Sequence, residues 1–154
     1  MNKVNLNWKT VSMLMITIAI IMLIYDNNEK SSIKIGTKVY KILTNNEWIS
    51  SKENSFILTK LDSTDGYVHL STAKQLAGTL HYYFKDHESL ILLQFNSNDL
   101  GDKLIFEEPL IKGKRKGKFP HYYEKLDTKK ISNSWKIKRG GFSLPEEVIL
   151  DQEN

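Results

Sequence analysis

The stretch "DGYVHLSTAKQ", residues 65–75, decides the fold because it carries a turn, a strand and a helix start in succession. Asp65-Gly66 has the chemistry of a turn. "YVHL" alternates as a short strand. From Ser71 or Thr72 as N-cap, the apolar spacing of "AKQLAGTLHYYFK" predicts an amphipathic helix. The local order is therefore turn, strand, helix.

His69 lies at the centre of this strand. Alternation places it with Tyr67 on one face, while Val68 and Leu70 take the core. The start of the following helix exposes unpaired N–H groups that attract anions. Two interpretations stay open: an imidazole that contacts a ligand or acts as general acid or base, or a half-buried histidine bonded to a backbone carbonyl.

Outward from this stretch, strand patterns outnumber helix patterns and do not alternate with them regularly, which predicts an α+β fold. Thr44 and Glu47 form a capping box that predicts a short helix. "SLILLQF" suits a strand buried on both faces. The remaining predicted strands are 38–43, 55–61 and 104–108, with a loop at "DSTDG". The segments 119–126 and 131–139 close the fold, the second as a strand through Trp135.

Composition narrows the function classes. The chain has 154 residues, a formal net charge of +4 and no cysteine. The missing cysteines exclude disulfides, thiolate nucleophiles and Cys-ligated zinc, and no His-x-x-x-His or phosphate-binding glycine loop is present. We expect no metal. The mild positive charge favours an anionic partner, with nucleic acid the less favoured one.

The amino-terminal run "VSMLMITIAIIMLIY", residues 11–25, carries no charge. Aromatic residues at both ends favour a single-pass membrane anchor, whose orientation the near-balanced lysines leave undetermined. A cleaved signal and a buried helix are the alternatives. The expected organisation is a polar start (1–10), the anchor (11–25), a linker (26–37), a globular domain (38–140) and a tail (141–154).

"FPHYY" supplies the second candidate histidine, His121, whose direction Pro120 restricts. Tyr122 and Tyr123 follow it. A glycine-spaced cationic segment precedes it, with Lys112, Lys114, Arg115, Lys116 and Lys118. Such a segment is either a solvated hairpin tip or the rim of a nucleotide site. His81 and His87 are expected at the surface.

The ordered set "VYKILTNNEW", "DGYVHLSTAKQLAGT", "LILLQFNSNDLGDKLIFEE" and "FPHYYEKL" resembles the bacterial family named Domain of Unknown Function 952 over about residues 38–140. That family is similar to the ADP-ribosyltransferase superfamily. The resemblance implies split antiparallel or mixed sheets with two short helices and a cleft for NAD, with His69 on its nicotinamide-ribose side. Lys41 stands where many members of the superfamily have histidine, and Glu107 and Glu108 match no catalytic motif.

The candidate site follows from this resemblance and from the residue patterns. Its catalytic candidates are His69 and His121, and its ligand-binding candidates are Lys41, Tyr67, Ser71, Thr72 and Tyr123. Three functions stay open: binding of NAD, ADP-ribose or a related phosphate ester, a non-catalytic ligand-binding or interaction module at a membrane, and a histidine-dependent phosphodiesterase or nuclease. A position of the two histidines on opposite sides of the sheet would rule out both catalytic functions.

Overall fold

The computed structural model describes the backbone of residues 8–30, 37–108 and 117–138 together with Pro145 and Val148. The chain divides into two units, residues 1–34 and 35–154. The first contains helix α1 (Trp8–Lys30), in which the large apolar side chains from Met13 to Leu23 are exposed. The second is an α+β domain.

No helix among the described residues is long and apolar enough to cross a membrane. The predicted membrane-spanning anchor at residues 11–25 and the membrane localisation are therefore wrong. The physical reason is length. The apolar run 11–25 has fifteen residues, whereas a span needs about 17–25.

The domain combines short helices with antiparallel strands. Its helices are α2 (Asn45–Asn54), α3 (Lys60–Asp65), α4 (Ala73–Tyr83) and α5 (Ser97–Leu100). Its strands are β1 (Lys38–Leu43), β2 (Phe56–Ile57), β3 (Val68–His69), β4 (Ser89–Asn96), β5 (Leu104–Glu107), β6 (Phe119–Tyr122), β7 (Leu126–Asp127) and β8 (Ile131–Lys138). Two three-residue 3₁₀ turns precede β5 and β8.

Local signals explain most of these elements. The Thr44–Glu47 capping box opens α2, as predicted. The predicted strand 55–61 and the loop after it are wrong in part, because β2 ends at Ile57 and α3 begins at Lys60. Thr59 and Asp62 form a second capping box there, and Gly66, at φ 81°, ends the helix in the left-handed conformation that glycine favours.

The described strands form two three-stranded antiparallel sheets, β1-β4-β8 and β3-β6-β5, and a small β2-β7 pair. The antiparallel α+β prediction is confirmed. The expected two short helices are too few, because α3 and α5 are too short to give a helical period. Backbone hydrogen bonds between Tyr40 and Ser71, both 2.8 Å, join the two larger sheets.

β1 and β4 are buried on both faces, as the continuous apolar run in β4 predicts, whereas the edge strand β8 is mostly exposed. Alternate residues of β1 and β4 enter two separate cores. One core lies against β3, β5 and β6 and includes Val39, Leu93 and Phe95. The other lies under α4 and includes Leu76 and Leu92. Lys41 is two residues after Val39 on β1, so the two side chains share a face of the strand. This lysine therefore lies on the side of the first core, towards the sheet that carries His69.

Candidate functional site

His69 and His121 are directly opposite each other on neighbouring antiparallel strands. β3 pairs with β6 so that Val68 faces Tyr122 and His69 faces His121. Val68 and Tyr122 are buried in the core, whereas the two imidazoles share the other face, with ring centroids 5.4 Å apart at 68°. Both histidines therefore lie on one side of the sheet, and the catalytic hypotheses keep their geometric basis.

Each histidine has its own carboxylate. His69 Nδ1 lies 2.9 Å from Asp62 Oδ1, and His121 Nδ1 lies 2.8 Å from Glu107 Oε1. A carboxylate at Nδ1 fixes the proton there in the neutral ring and leaves Nε2 as the acceptor. His69 Nε2 also lies 3.1 Å from Asp65 Oδ2, so His69 stands between two carboxylates.

Asp62 holds His69 from beneath. Its side chain is fully buried and accepts hydrogen bonds from the backbone N–H of His69 at 2.9 Å and from Lys41 Nζ at 2.8 and 2.7 Å. Its Oδ2 also accepts from the N–H of Thr59 at 3.0 Å, which closes the α3 capping box. One carboxylate thus couples the lysine of β1, the start of α3 and the orientation of His69.

Two tyrosines line the imidazole pair. The Tyr67 ring stacks on His121 with centroids 4.2 Å apart at 22°, and it lies 4.7 Å from His69 and 5.2 Å from Tyr123. The Tyr123 hydroxyl donates to Glu107, the same carboxylate that His121 contacts. Tyr67 is almost buried, while Tyr123 is 42% exposed. Tyr123 therefore forms the outer edge of the cluster.

Burial and hydrogen bonds set the charges of this cluster. Burial, opposed in part by the Glu107 hydrogen bond, lowers the pKa of His121 below its ordinary 6.5. Burial alone would raise the pKa of Asp62, but hydrogen bonds from His69 and Lys41 hold it well below its ordinary 3.8. The hydrogen bond to Glu107 raises the pKa of Tyr123 to about 12. At neutral pH the cluster thus combines a neutral His121 and a charged Asp62.

The other predicted ligand-binding residues, Lys41, Ser71 and Thr72, form their hydrogen bonds with groups other than the four rings of the cluster. Lys41 is 5% exposed and its ammonium is paired with Asp62. The Ser71 hydroxyl lies 3.1 Å from Thr79 on α4, and the backbone N–H of Thr72 donates to Gln75 at the start of that helix. Their contact with a ligand stays a prediction. Most of the predicted cationic segment, 112–116, lies outside the described residues.

Sequence reasoning missed three carboxylates: Asp62, Asp65 and the role of Glu107. The signal for Asp62 was the Thr59-x-x-Asp62 capping box, which places that aspartate in the first turn of a helix. The signal for Glu107 was its position two residues after Ile105 on β5, which puts both side chains on one face; Ile105 is directly opposite His121. His81 is exposed and His87 is partly exposed. Within the described ranges no group of three or more acidic or histidine side chains is arranged to hold a metal ion.

The lowered pKa of His121 predicts a loss of stability on acidification. The unfolded chain takes up a proton at this histidine near pH 6.5, while the native one resists it. The stabilisation is complete above that pH and is lost as pH falls through the lower native pKa. Urea unfolding between pH 7.5 and 5 should show the free energy of unfolding decreasing, with a shallower slope for His121→Gln. His81, whose side chain is exposed on α4, provides the control: His81→Gln should keep the wild-type slope. Equal slopes for wild type and His121→Gln would contradict the prediction.

With the fold and the cluster in place, comparison with known proteins defines the class. The sequence model described as "Protein of unknown function (DUF952)" matches residues 42–134, and the chain belongs to this family, as its sequence segments predict.

Among solved structures, the chain is similar to protein CC0527 from Caulobacter crescentus. The crystal structure is 26% identical with a TM-score of 0.63, over 75% of this chain and 98% of that one. The solution NMR structure is 28% identical with a TM-score of 0.56, over 66% and 84%. No curated protein matches the chain.

Proposed function

We propose that the chain binds a nucleotide or a related phosphate ester, of the NAD or ADP-ribose type, beside His69, His121, Tyr67 and Tyr123. The observation that carries the proposal is the facing histidine pair, in which each Nδ1 contacts a different carboxylate. Two imidazoles so oriented on one face can accept and donate protons at one bound group. The proposal therefore includes acid–base chemistry at a ribose or phosphate oxygen.

The two histidines are suited to different roles. His121 is neutral at pH 7 because burial lowers its pKa, and with Nδ1–H directed to Glu107 its Nε2 is free to accept a proton from an attacking hydroxyl. His69 contacts Asp62 through Nδ1 and Asp65 through Nε2. In this proposal a phosphate or leaving oxygen displaces the Asp65 carboxylate from Nε2 and takes over its hydrogen bond, so that His69 is the donor to the ligand.

The charge of a bound phosphate needs a partner beyond the described cleft. Lys41 is committed to Asp62, and Asp65 and Glu107 add negative charge beside the histidines. The cationic segment Lys112, Lys114, Arg115, Lys116 and Lys118 lies in sequence between β5, which carries Glu107, and β6, which carries His121. In this proposal that segment supplies the positive charge for the phosphate.

The ADP-ribosyltransferase-like superfold and NAD as ligand are the finer part of the proposal. Two small antiparallel sheets, joined where Tyr40 bonds to Ser71, place His69 close to their junction. This arrangement supports a cleft between sheets. Lys41 in place of a first-strand histidine, paired with Asp62, makes recognition of the ribose through that position differ from the pattern of the superfamily.

A histidine-dependent phosphodiesterase is the second candidate. The same pair supports it, since one imidazole can activate a hydroxyl while the other protonates the leaving oxygen. A non-catalytic binding domain is the third. Turnover separates these possibilities: release of nicotinamide from NAD, release of a nucleotide from a phosphodiester, or binding without product.

Thermal unfolding of the full chain with millimolar NAD, ADP-ribose or a nucleoside 2′-phosphate tests the proposal. A ligand at about 100 times its Kd adds roughly 2.7 kcal/mol of apparent stability. We expect a stabilising shift in the wild type, its loss in His69→Gln and His121→Gln, and its retention in His81→Gln. Unchanged melting with all three ligands, or equal shifts in the two site variants and the wild type, would rule out this site for such ligands.

A further inference from the structure

A groove beside the histidine pair has no role so far. Its volume is about 420 Å³, and it lies between α3, the end of β2 and the segment that follows β6. Its lining includes Phe56, Leu58, Gly66, Tyr67, Tyr123 and Lys125. We infer that this groove holds the planar heteroaromatic base of the ligand while the sugar and phosphate lie at the histidines. The inference rests on the proposed function and names the part of the ligand that the groove selects.

The groove is continuous with the histidine cluster through two shared tyrosines. Tyr67 and Tyr123 line the groove, and the Tyr67 ring lies 4.2 Å from His121 and 5.2 Å from Tyr123. His69 and His121 are absent from the lining. Tyr67 therefore lies between the imidazoles and the groove. A ligand that contacts both the histidines and the groove must extend past the Tyr67 ring, so it must be longer than one ring.

The chemistry of the lining favours an apolar ring over an anionic group. Most of the lining side chains are apolar or aromatic, and the polar residues among them are Asp62, Ser63, Glu124 and Lys125. Two of these are carboxylates, which disfavour an anionic group in the groove. This is the usual composition of a small-molecule site, in which a few polar groups fix the orientation. The Lys125 ammonium lies 3.7 Å from the centroid of Phe56, so a cation is already held against an aromatic face at the rim.

Two features leave room for such a ring. Leu58 is 50% exposed although it lines the groove, and a base packed on it would remove that apolar surface from water. Gly66 has no side chain, and a Cβ built there would meet no atom within 4 Å. Since the groove volume lies within the range of ligand pockets, about 300–1,000 Å³, a purine can be accommodated.

Calorimetric titration of the full chain with three probes tests the inference: AMP, ribose 5-phosphate, which lacks the base, and adenosine, which lacks the phosphate. We expect AMP to bind at least tenfold more tightly than ribose 5-phosphate. Leu58→Glu should remove this difference and leave ribose 5-phosphate binding unchanged. Leu61→Glu is the matched control, because Leu61 is 57% exposed on α3 and does not line the groove; it should retain the wild-type ratio.

The outcomes separate the groove from the proposed function. Equal affinities for AMP and ribose 5-phosphate would overturn the groove and keep the phosphate site. Binding of adenosine without binding of ribose 5-phosphate, weakened by Leu58→Glu alone, would support the groove and count against the phosphate site. Equal weakening by Leu58→Glu and Leu61→Glu, or no binding of AMP and adenosine, would overturn the groove.

Discussion

Replacement of Asp62 by asparagine is expected to lower the free energy of unfolding by about 3–5 kcal/mol, the range for breaking a buried ion pair by removing one partner. The amide leaves the Lys41 ammonium, 5% exposed, without its counter-charge. The amide also offers only one acceptor oxygen, whereas the wild-type carboxylate offers two oxygens to its donors Lys41, His69 and Thr59. Urea unfolding at pH 7 measures the loss.

Asp65→Asn is the matched control for Asp62→Asn. Asp65 is the last residue of the same helix, and its carboxylate also contacts His69, but its side chain is 31% exposed. Its loss should change stability by less than about 1 kcal/mol. Adding Lys41→Met to Asp62→Asn should recover part of the loss, because the unpaired cation is removed. Similar losses for Asp62→Asn and Asp65→Asn would contradict the prediction.

The pKa of Asp62 adds a pH test. Its native pKa lies below the ordinary 3.8, so the stabilisation is present above that pH and is lost as pH falls towards the native pKa. Between pH 4 and 2 the wild type should therefore lose stability more steeply than Asp62→Asn. A parallel decline in the two proteins would show that Asp62 is not the group that acid titrates.

Replacement of Tyr122 by alanine is the second large effect we expect, about 3–5 kcal/mol as for other large buried aromatic residues. Tyr122 is fully buried in the core and lies between its strand partners Val68 and Leu104. Its hydroxyl donates to Glu124 Oε2 at 3.1 Å and accepts from Lys130 Nζ at 3.3 Å. The truncation leaves a cavity beneath the sheet that carries both histidines. Chemical unfolding measures the resulting loss in the free energy of unfolding.

The adjacent Tyr123 is the natural control. Its side chain is 42% exposed, so Tyr123→Ala should change stability by only about 1 kcal/mol. Its ring lines both the histidine cluster and the groove, so the same variant should bind AMP more weakly. A large stability loss in Tyr123→Ala, or a small one in Tyr122→Ala, would contradict the assignment of Tyr122 to the core and of Tyr123 to the exposed edge of the cluster.

Local patterns were sufficient to predict much of the fold. β1 has the predicted bounds, and α2 begins directly after Thr44, the N-cap of the predicted capping box. Strand alternation correctly placed His69 on the face opposite Val68. These features depend on neighbours in sequence, where turn chemistry, caps and alternation act directly.

The rest depends on residues that meet only in the folded chain. Alternation gives the face of His69, but no local pattern gives its register with His121, since pairing across a sheet is set by the whole fold. Lys41 gave no sign of burial, because its partner Asp62 lies in α3, a helix in a segment that was predicted as the end of a strand and a loop. For the apolar run at residues 11–25, the aromatic residues at both ends were given more weight than its short length, and the length was decisive.

The two-residue strand β3 has a consequence for biosynthesis. His69 meets His121 only after α4, β4 and β5 have been added to the chain between them. During vectorial synthesis the amino-terminal half of the domain leaves the ribosome first, with Tyr67 and His69 still lacking the strand that covers them. Closing this long loop costs entropy that only two ladder pairs offset directly. A nascent chain therefore contains the first imidazole well before it contains a site, and premature termination before β6 yields a product without the histidine pair.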